Sequence, residues 1–120
     1  MRIIILNFLF FLSLEASISY DKGKTLYMQK GCYSCHGSRA EGMHMYPRLA
    51  NRAKGYLSYK LKKFRNKQSD NQQQEMMIAY ALSLSDEDIE NLSVFMAEFI
   101  DEENAQSYDD SFETWGDGGS

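Results

Sequence analysis

The chain is poor in several residue types, and each scarcity narrows what it can be. Only two of its 120 residues are cysteines, Cys32 and Cys35, and they sit within one four-residue window. No thiol remains to staple another part of the fold with a disulfide. Proline occurs once, at Pro47, and tryptophan once, at Trp115. No strand-helix-strand pattern flanks the cysteines; apolar residues recur at helical spacing, which reads as all-α. The longest apolar run, residues 3–14, is broken by Asn7 and Ser13 and falls short of the ~20 residues that cross a bilayer. A net charge of −4 excludes the strongly basic class that grips nucleic acid. The length suits one small domain, of a size that often needs an added staple to be stable.

What is present centres on Cys32-Tyr33-Ser34-Cys35-His36. Residues three apart share one face of a helical turn, and the histidine follows at once. C-x-x-C-H is the signature of c-type haem attachment. In that chemistry each thiol adds to a haem vinyl group, and the histidine binds iron from the proximal side. Other uses of the residues fit less well. A redox dithiol belongs beside a strand-helix-strand unit. A zinc site needs four ligands in a tetrahedron; the only candidates are Cys32, Cys35, His36 and His44, and His36 abuts Cys35. A Cys32–Cys35 disulfide would close a tiny loop and stabilise little. A covalent haem would instead give this small body a large apolar centre. The eight tyrosines and seven phenylalanines suit the lining of such a disc, as they suit ordinary cores.

Taken in order, residues 1–19 read as a secretory signal, with Arg2 before the apolar run and small residues at Ala16, Ser17 and Ser19. Cleavage after Ser19 leaves Tyr20 as the new terminus; an uncleaved anchor is the alternative. A first helix is predicted over 21–31, with Asp21 as N-cap and Gly31 at its end. Gly23 and Tyr27 share a face; that bare patch suits a close helix crossing, unless Gly23 is simply a weak helix residue. A loop follows, containing Met43, His44 and Met45, each a ligand by chemistry and each placed as an ordinary loop residue. The Pro47 carbonyl is positioned to accept the other ring N–H of His36.

A second helix is predicted over 55–66, with Leu57, Leu61 and Phe64 on its apolar face. Eight basic residues and no acid fall between Arg48 and Lys67, a one-signed strip that reads as a solvated face or as a docking face for an acidic partner. Residues 68–74 read as polar linker and 75–82 as a short helix. Met76 and Met77 lie there, and a methionine sulfur is a common second axial ligand to haem iron; the pattern alone leaves the two equal. A last helix is predicted over 84–100, opened by Ser85 and Asp88 in a capping-box arrangement. Its stripe of Ile89, Leu92, Phe95, Met96 and Phe99 is predicted to pack on the first helix. Residues 101–120 carry −7, leaving +3 on residues 1–100. That acidic segment reads as a disordered tail, or as a docking motif built on Tyr108, Phe112 and Trp115.

Residues 20–100 resemble the class I c-type cytochromes, in particular the small bacterial periplasmic type. The resemblance rests on Cys32-Tyr33-Ser34-Cys35-His36-Gly37, Glu41-Gly42, Pro47-Arg48-Leu49-Ala50, Tyr56-Leu57 with Leu61 and Phe64-Arg65, Met77, and Leu84-Ser85-Asp86-Glu87-Asp88-Ile89. It implies an all-α class I cytochrome c fold, with N- and C-terminal helices packed across each other around one covalent haem c. It implies Cys32 and Cys35 as haem anchors and His36 and Met77 as axial iron ligands. It also implies Pro47 and Arg48 as parts of the haem environment. Two features depart from the family: Asn66-Lys67-Gln68-Ser69 lacks the usual Gly and Arg, and the acidic tail is not part of the pattern.

The function implied is a periplasmic one-electron carrier, not an enzyme. Donors would be a quinol-oxidising complex or dehydrogenase, and acceptors a terminal oxidase or reductase, met in transient contact with membrane complexes. The alternatives are a haem subunit of a larger dehydrogenase or oxidase, and a sensor or peroxidase-like protein with a switchable sixth ligand, for which His44 is the competitor to watch.

Overall fold

A computed structural model describes residues 17–102. The predicted signal at 1–19 and the acidic tail at 101–120 therefore lie almost wholly outside the described residues. Helix α1 runs through residues 17–29. It is followed by a one-turn helix α2 (Tyr33–His36), a long loop, α3 (Lys54–Arg65), a 3-10 turn (Gln72–Glu75), α4 (Met76–Ala81) and α5 (Asp86–Ala97). Among the described residues there is no strand, only an isolated antiparallel bridge between Met43 and Tyr46.

The crossing of α1 and α5 depends on Gly23. A β-carbon built there would lie 1.9 Å from the Asn91 carbonyl oxygen and 2.7 Å from Phe95 Cβ. Only a residue without a side chain lets the two backbones meet so closely. Aromatic rings close the seam: Phe95 sits 5.4 Å from Tyr27 and 5.2 Å from Tyr20, centroid to centroid. Tyr20 also accepts the Ile100 N–H on its hydroxyl at 3.1 Å. These contacts anchor the first turn, so α1 already covers 17–20 and Asp21 lies inside the helix, not at its cap.

Helix α5 begins where its sequence directs. The Asp88 N–H donates to Ser85 Oγ at 3.0 Å and the Ser85 N–H to Asp88 Oδ2 at 3.1 Å, a complete capping box. Ile89, Leu92, Phe95 and Met96 are buried against Leu57, Leu61 and Phe64 of α3. The segment read as linker is partly ordered. Gln72–Glu75 forms a 3-10 turn because Asn71 Oδ1 accepts the Gln74 N–H at 2.9 Å. Lys60 ties it to α3 through Asp70 and Gln74 Oε1.

Helix α3 ends in a left-handed residue. Lys67 has φ 62°; its N–H donates to the Phe64 carbonyl and the Gln68 N–H to the Lys63 carbonyl. That is a Schellman motif, whose left-handed position usually holds glycine. A lysine thus takes a backbone state that usually falls to glycine. Lys67→Gly should stabilise the protein by about 1 kcal/mol, read as a higher denaturant midpoint at unchanged slope.

Candidate functional site

The short α2 turn is held at both ends. Gly31 takes φ 77°, which lets the chain leave α1 and turn at once into the attachment segment. The Cys32 N–H donates to the Tyr27 carbonyl at 3.1 Å and the Gly42 N–H to the His36 carbonyl at 2.8 Å. Cys32 and Cys35 are not joined as a disulfide. Burial pushes the Cys32 thiol up to about 11, against its usual value near 9, so it stays protonated at neutral pH.

His36 is buried. Its Nδ1–H donates to the Pro47 carbonyl at 2.8 Å, because a carbonyl can only accept. The lone pair of the neutral ring is therefore on Nε2. Burial lowers the imidazole's proton affinity, and the hydrogen bond to Pro47 offsets part of that. The ring is neutral, in one tautomer and in one orientation.

A cavity of about 330 Å³ opens beside this turn. Its walls come from every helix that follows: Leu57, Leu61 and Phe64 of α3, Met76, Met77 and Ala81 of α4, Leu92 and Met96 of α5, with Leu84 between the last two. Cys32, Cys35, His36 and Pro47 line it from the attachment side. Lys30, Arg52, Lys60 and the amides of Asn71, Gln73 and Gln74 supply its polar edge. Thiols, an imidazole with a free lone pair, a thioether and apolar walls thus face one space. That donor set fits a flat, largely apolar, iron-bearing group.

These observations agree with the comparisons to known proteins. The family model described as Cytochrome c matches residues 20–99. The chain belongs to the cytochrome c family. Cytochrome c-554(547) of Halothiobacillus neapolitanus is 34% identical over 83 residues, which are 62% of this chain and 90% of that one. Cytochrome c-554(548) of Halomonas halodenitrificans is 32% identical over 65 residues, 53% of this chain and 78% of that one. Among solved structures, reduced recombinant cytochrome c4 from Pseudomonas stutzeri superposes with a TM-score of 0.60 at 24% identity, covering 68% of this chain. Cytochrome c4 of Acidithiobacillus ferrooxidans gives 0.59 at 23%, covering 66%. The chain spans 48% of each cytochrome c4 chain, and at these identities the likeness speaks for the fold alone. The protein is thus a class I c-type cytochrome, a haem-based electron carrier with covalently bound haem c and its iron.

Within this family frame the cavity separates the candidate residues. Met76 and Met77 both line it, but Met76 is 50% exposed, while Met77 is partly buried and packed against the core. Of the loop candidates only Met45 reaches the cavity, and it is 73% exposed. His44 is exposed, with φ 52° in the tight Met43–Tyr46 turn, and does not line the cavity.

Arg48 lies in the loop directly after Pro47. Its Nε donates to the Ala50 carbonyl at 3.3 Å, and it is not part of the cavity wall. Arg52 is there instead, its guanidinium 5.7 Å from the centre of the Tyr56 ring. The left-handed turn at Asn51, φ 62°, redirects the chain between the two arginines. No local sequence signal marked Arg52, which precedes the helix and its N-cap Ala53.

The basic strip is also less one-signed than its sequence. Lys60 and Lys63 pair with Asp70, Lys54 with Glu90 and Arg65 with Asp86. Half of the eight cations are met by carboxylates from outside the run.

Proposed function

We propose that this chain is a monohaem one-electron carrier in which Cys32 and Cys35 hold the haem and His36 and Met77 are its axial ligands. The observation that carries this reading is the meeting of both thiols, the lone pair of His36 and the Met77 thioether at one apolar cavity. Haem iron, when bound, supplies the one-electron couple. The residues supply the rest. Pro47 holds the His36 ring in the tautomer that can ligate. Leu57, Leu61, Phe64 and Leu92 exclude water from the site, which limits solvent reorganisation when charge changes. Lys30 and Arg52 give the cavity mouth a positive edge for a weakly bound acidic partner, as brief redox contacts require.

Partners on this reading are a quinol-oxidising complex or dehydrogenase as donor and a terminal oxidase or reductase as acceptor. The compartment is the periplasm, reached through the leader at 1–19. No helix among the described residues is long and apolar enough to cross a membrane.

The test is a redox titration of the purified, haem-loaded protein. A single transition with a one-electron slope is expected, with one haem per chain that stays attached in denaturant. Two transitions, or haem lost on unfolding, would contradict the reading.

A further inference from the structure

Among the described residues Tyr27 is the one fully buried tyrosine, and its hydroxyl is spent on backbone. Oη donates to the Gly37 carbonyl at 2.6 Å. The same residue's carbonyl accepts the Cys32 N–H. One residue therefore grips the attachment turn twice, by its backbone carbonyl at the first residue and by its side-chain hydroxyl just past the last. Burial raises the phenol far above its usual range, so the hydroxyl remains a donor.

The grip extends further. The Gly37 carbonyl also accepts the Ala40 N–H at 3.1 Å, and the Ala40 carbonyl accepts the Leu49 and Ala50 N–H groups at 2.9 and 3.0 Å. Ala40 is fully buried at φ 52°, a state a non-glycine residue keeps only when its surroundings impose it. Pro47 lies inside the loop this chain of bonds closes, and its carbonyl holds His36 Nδ1.

We propose that Tyr27 is a positioning residue for His36: its hydroxyl, through Gly37 and Ala40, sets the loop that presents the Pro47 carbonyl to the imidazole. This rests on the reading of His36 as an axial ligand. Donation from Nδ1 makes the ring more basic and so favours the ferric state. A looser Pro47 contact favours the ferrous state.

The experiment compares the haem-loaded full chain with Tyr27→Phe and Val94→Ala. Phenylalanine keeps the ring against Phe95 and removes only the hydroxyl. Val94 is buried but does not line the cavity, so its truncation matches a loss of global stability without touching the network. Tyr27→Phe should shift the reduction equilibrium about threefold toward the ferrous form, roughly 28 mV upward at 59 mV per tenfold. The His36 Nδ1 proton should exchange with solvent about tenfold faster. Val94→Ala should change neither. Loss of haem from Tyr27→Phe would overturn the proposal, because a looser Pro47 contact leaves both thiol anchors in place. An unmoved potential and exchange rate in Tyr27→Phe would overturn it, as would equal shifts in Val94→Ala. His36→Ala tests the underlying reading separately: if it keeps a six-coordinate spectrum unchanged, that reading fails whatever Tyr27→Phe does.

Discussion

Met77→Ala should abolish the weak red absorption band of methionine-bound ferric haem, while Met76→Ala leaves it in place. Both side chains reach the cavity, but their settings differ. Met77 is packed against the core and so held in place. Met76 is half exposed and would give up many solvent-accessible rotamers to bind iron. On the proposed ligation, alanine at 77 removes the thioether and would leave the iron without its second protein ligand. A weaker ligand or water there favours the ferric state, because thioether ligation raises the potential. The expected fall is on the order of 0.1 V, within the ~0.8 V that axial ligands command. Haem should stay attached, since Cys32, Cys35 and His36 are untouched. Absorption spectra and a potentiometric titration of both variants decide it. If Met76→Ala loses the band and Met77→Ala keeps it, the ligand is Met76.

Gly23→Ala should cost about 3 kcal/mol or more, from the overpacking of a close backbone contact. The added methyl would meet the Asn91 carbonyl at 1.9 Å and its carbon at 2.6 Å. Neither atom belongs to a side chain that can rotate away, so α1 must move off α5. That separation also strips Tyr20 and Tyr27 from Phe95. Native domains are stable by only about 5–15 kcal/mol, so the loss should be plain as a fall in the denaturant midpoint of the loaded protein. Gly55→Ala is the control. Nothing lies within 4 Å of a β-carbon there, and a helical glycine replaced by alanine gains roughly 0.5–1 kcal/mol. Equal midpoints for the two variants would show that the crossing tolerates a side chain.

Much of the site was readable because its signals are local. Cys32, Cys35 and His36 announce themselves by spacing, since one turn of chain brings them together. The Ser85–Asp88 box is legible for the same reason: both of its hydrogen bonds lie within four residues. Gly23 and Tyr27 could be paired as one helix face, but only the position of α5 shows that the face is occupied. Pattern leaves Met76 and Met77 equal, and the resemblance implies Met77. Burial then separates the two side chains independently.

What escaped the sequence was mostly charge and loop direction. The acid-free strip from Arg48 to Lys67 is real as sequence, yet Asp70, Asp86 and Glu90 fold back onto it. Arg48 and Arg52 are four residues apart and chemically identical. The left-handed Asn51 turns the chain between them, and Arg52 is the one that lines the cavity.

By itself the sequence determined an all-α chain, a haem-attachment turn, two iron-ligand candidates and the start of the closing helix. Each depends on neighbours within a turn or two, where covalent spacing sets geometry. The tertiary structure decided which methionine is packed, which arginine faces the cavity, how the basic strip is neutralised, and that the Tyr27 hydroxyl grips Gly37. The ion pairs and the Tyr27 bond join residues 7 to 36 positions apart. Such contacts form only once α1, α3 and α5 have closed around a shared centre, and no spacing rule reaches that far.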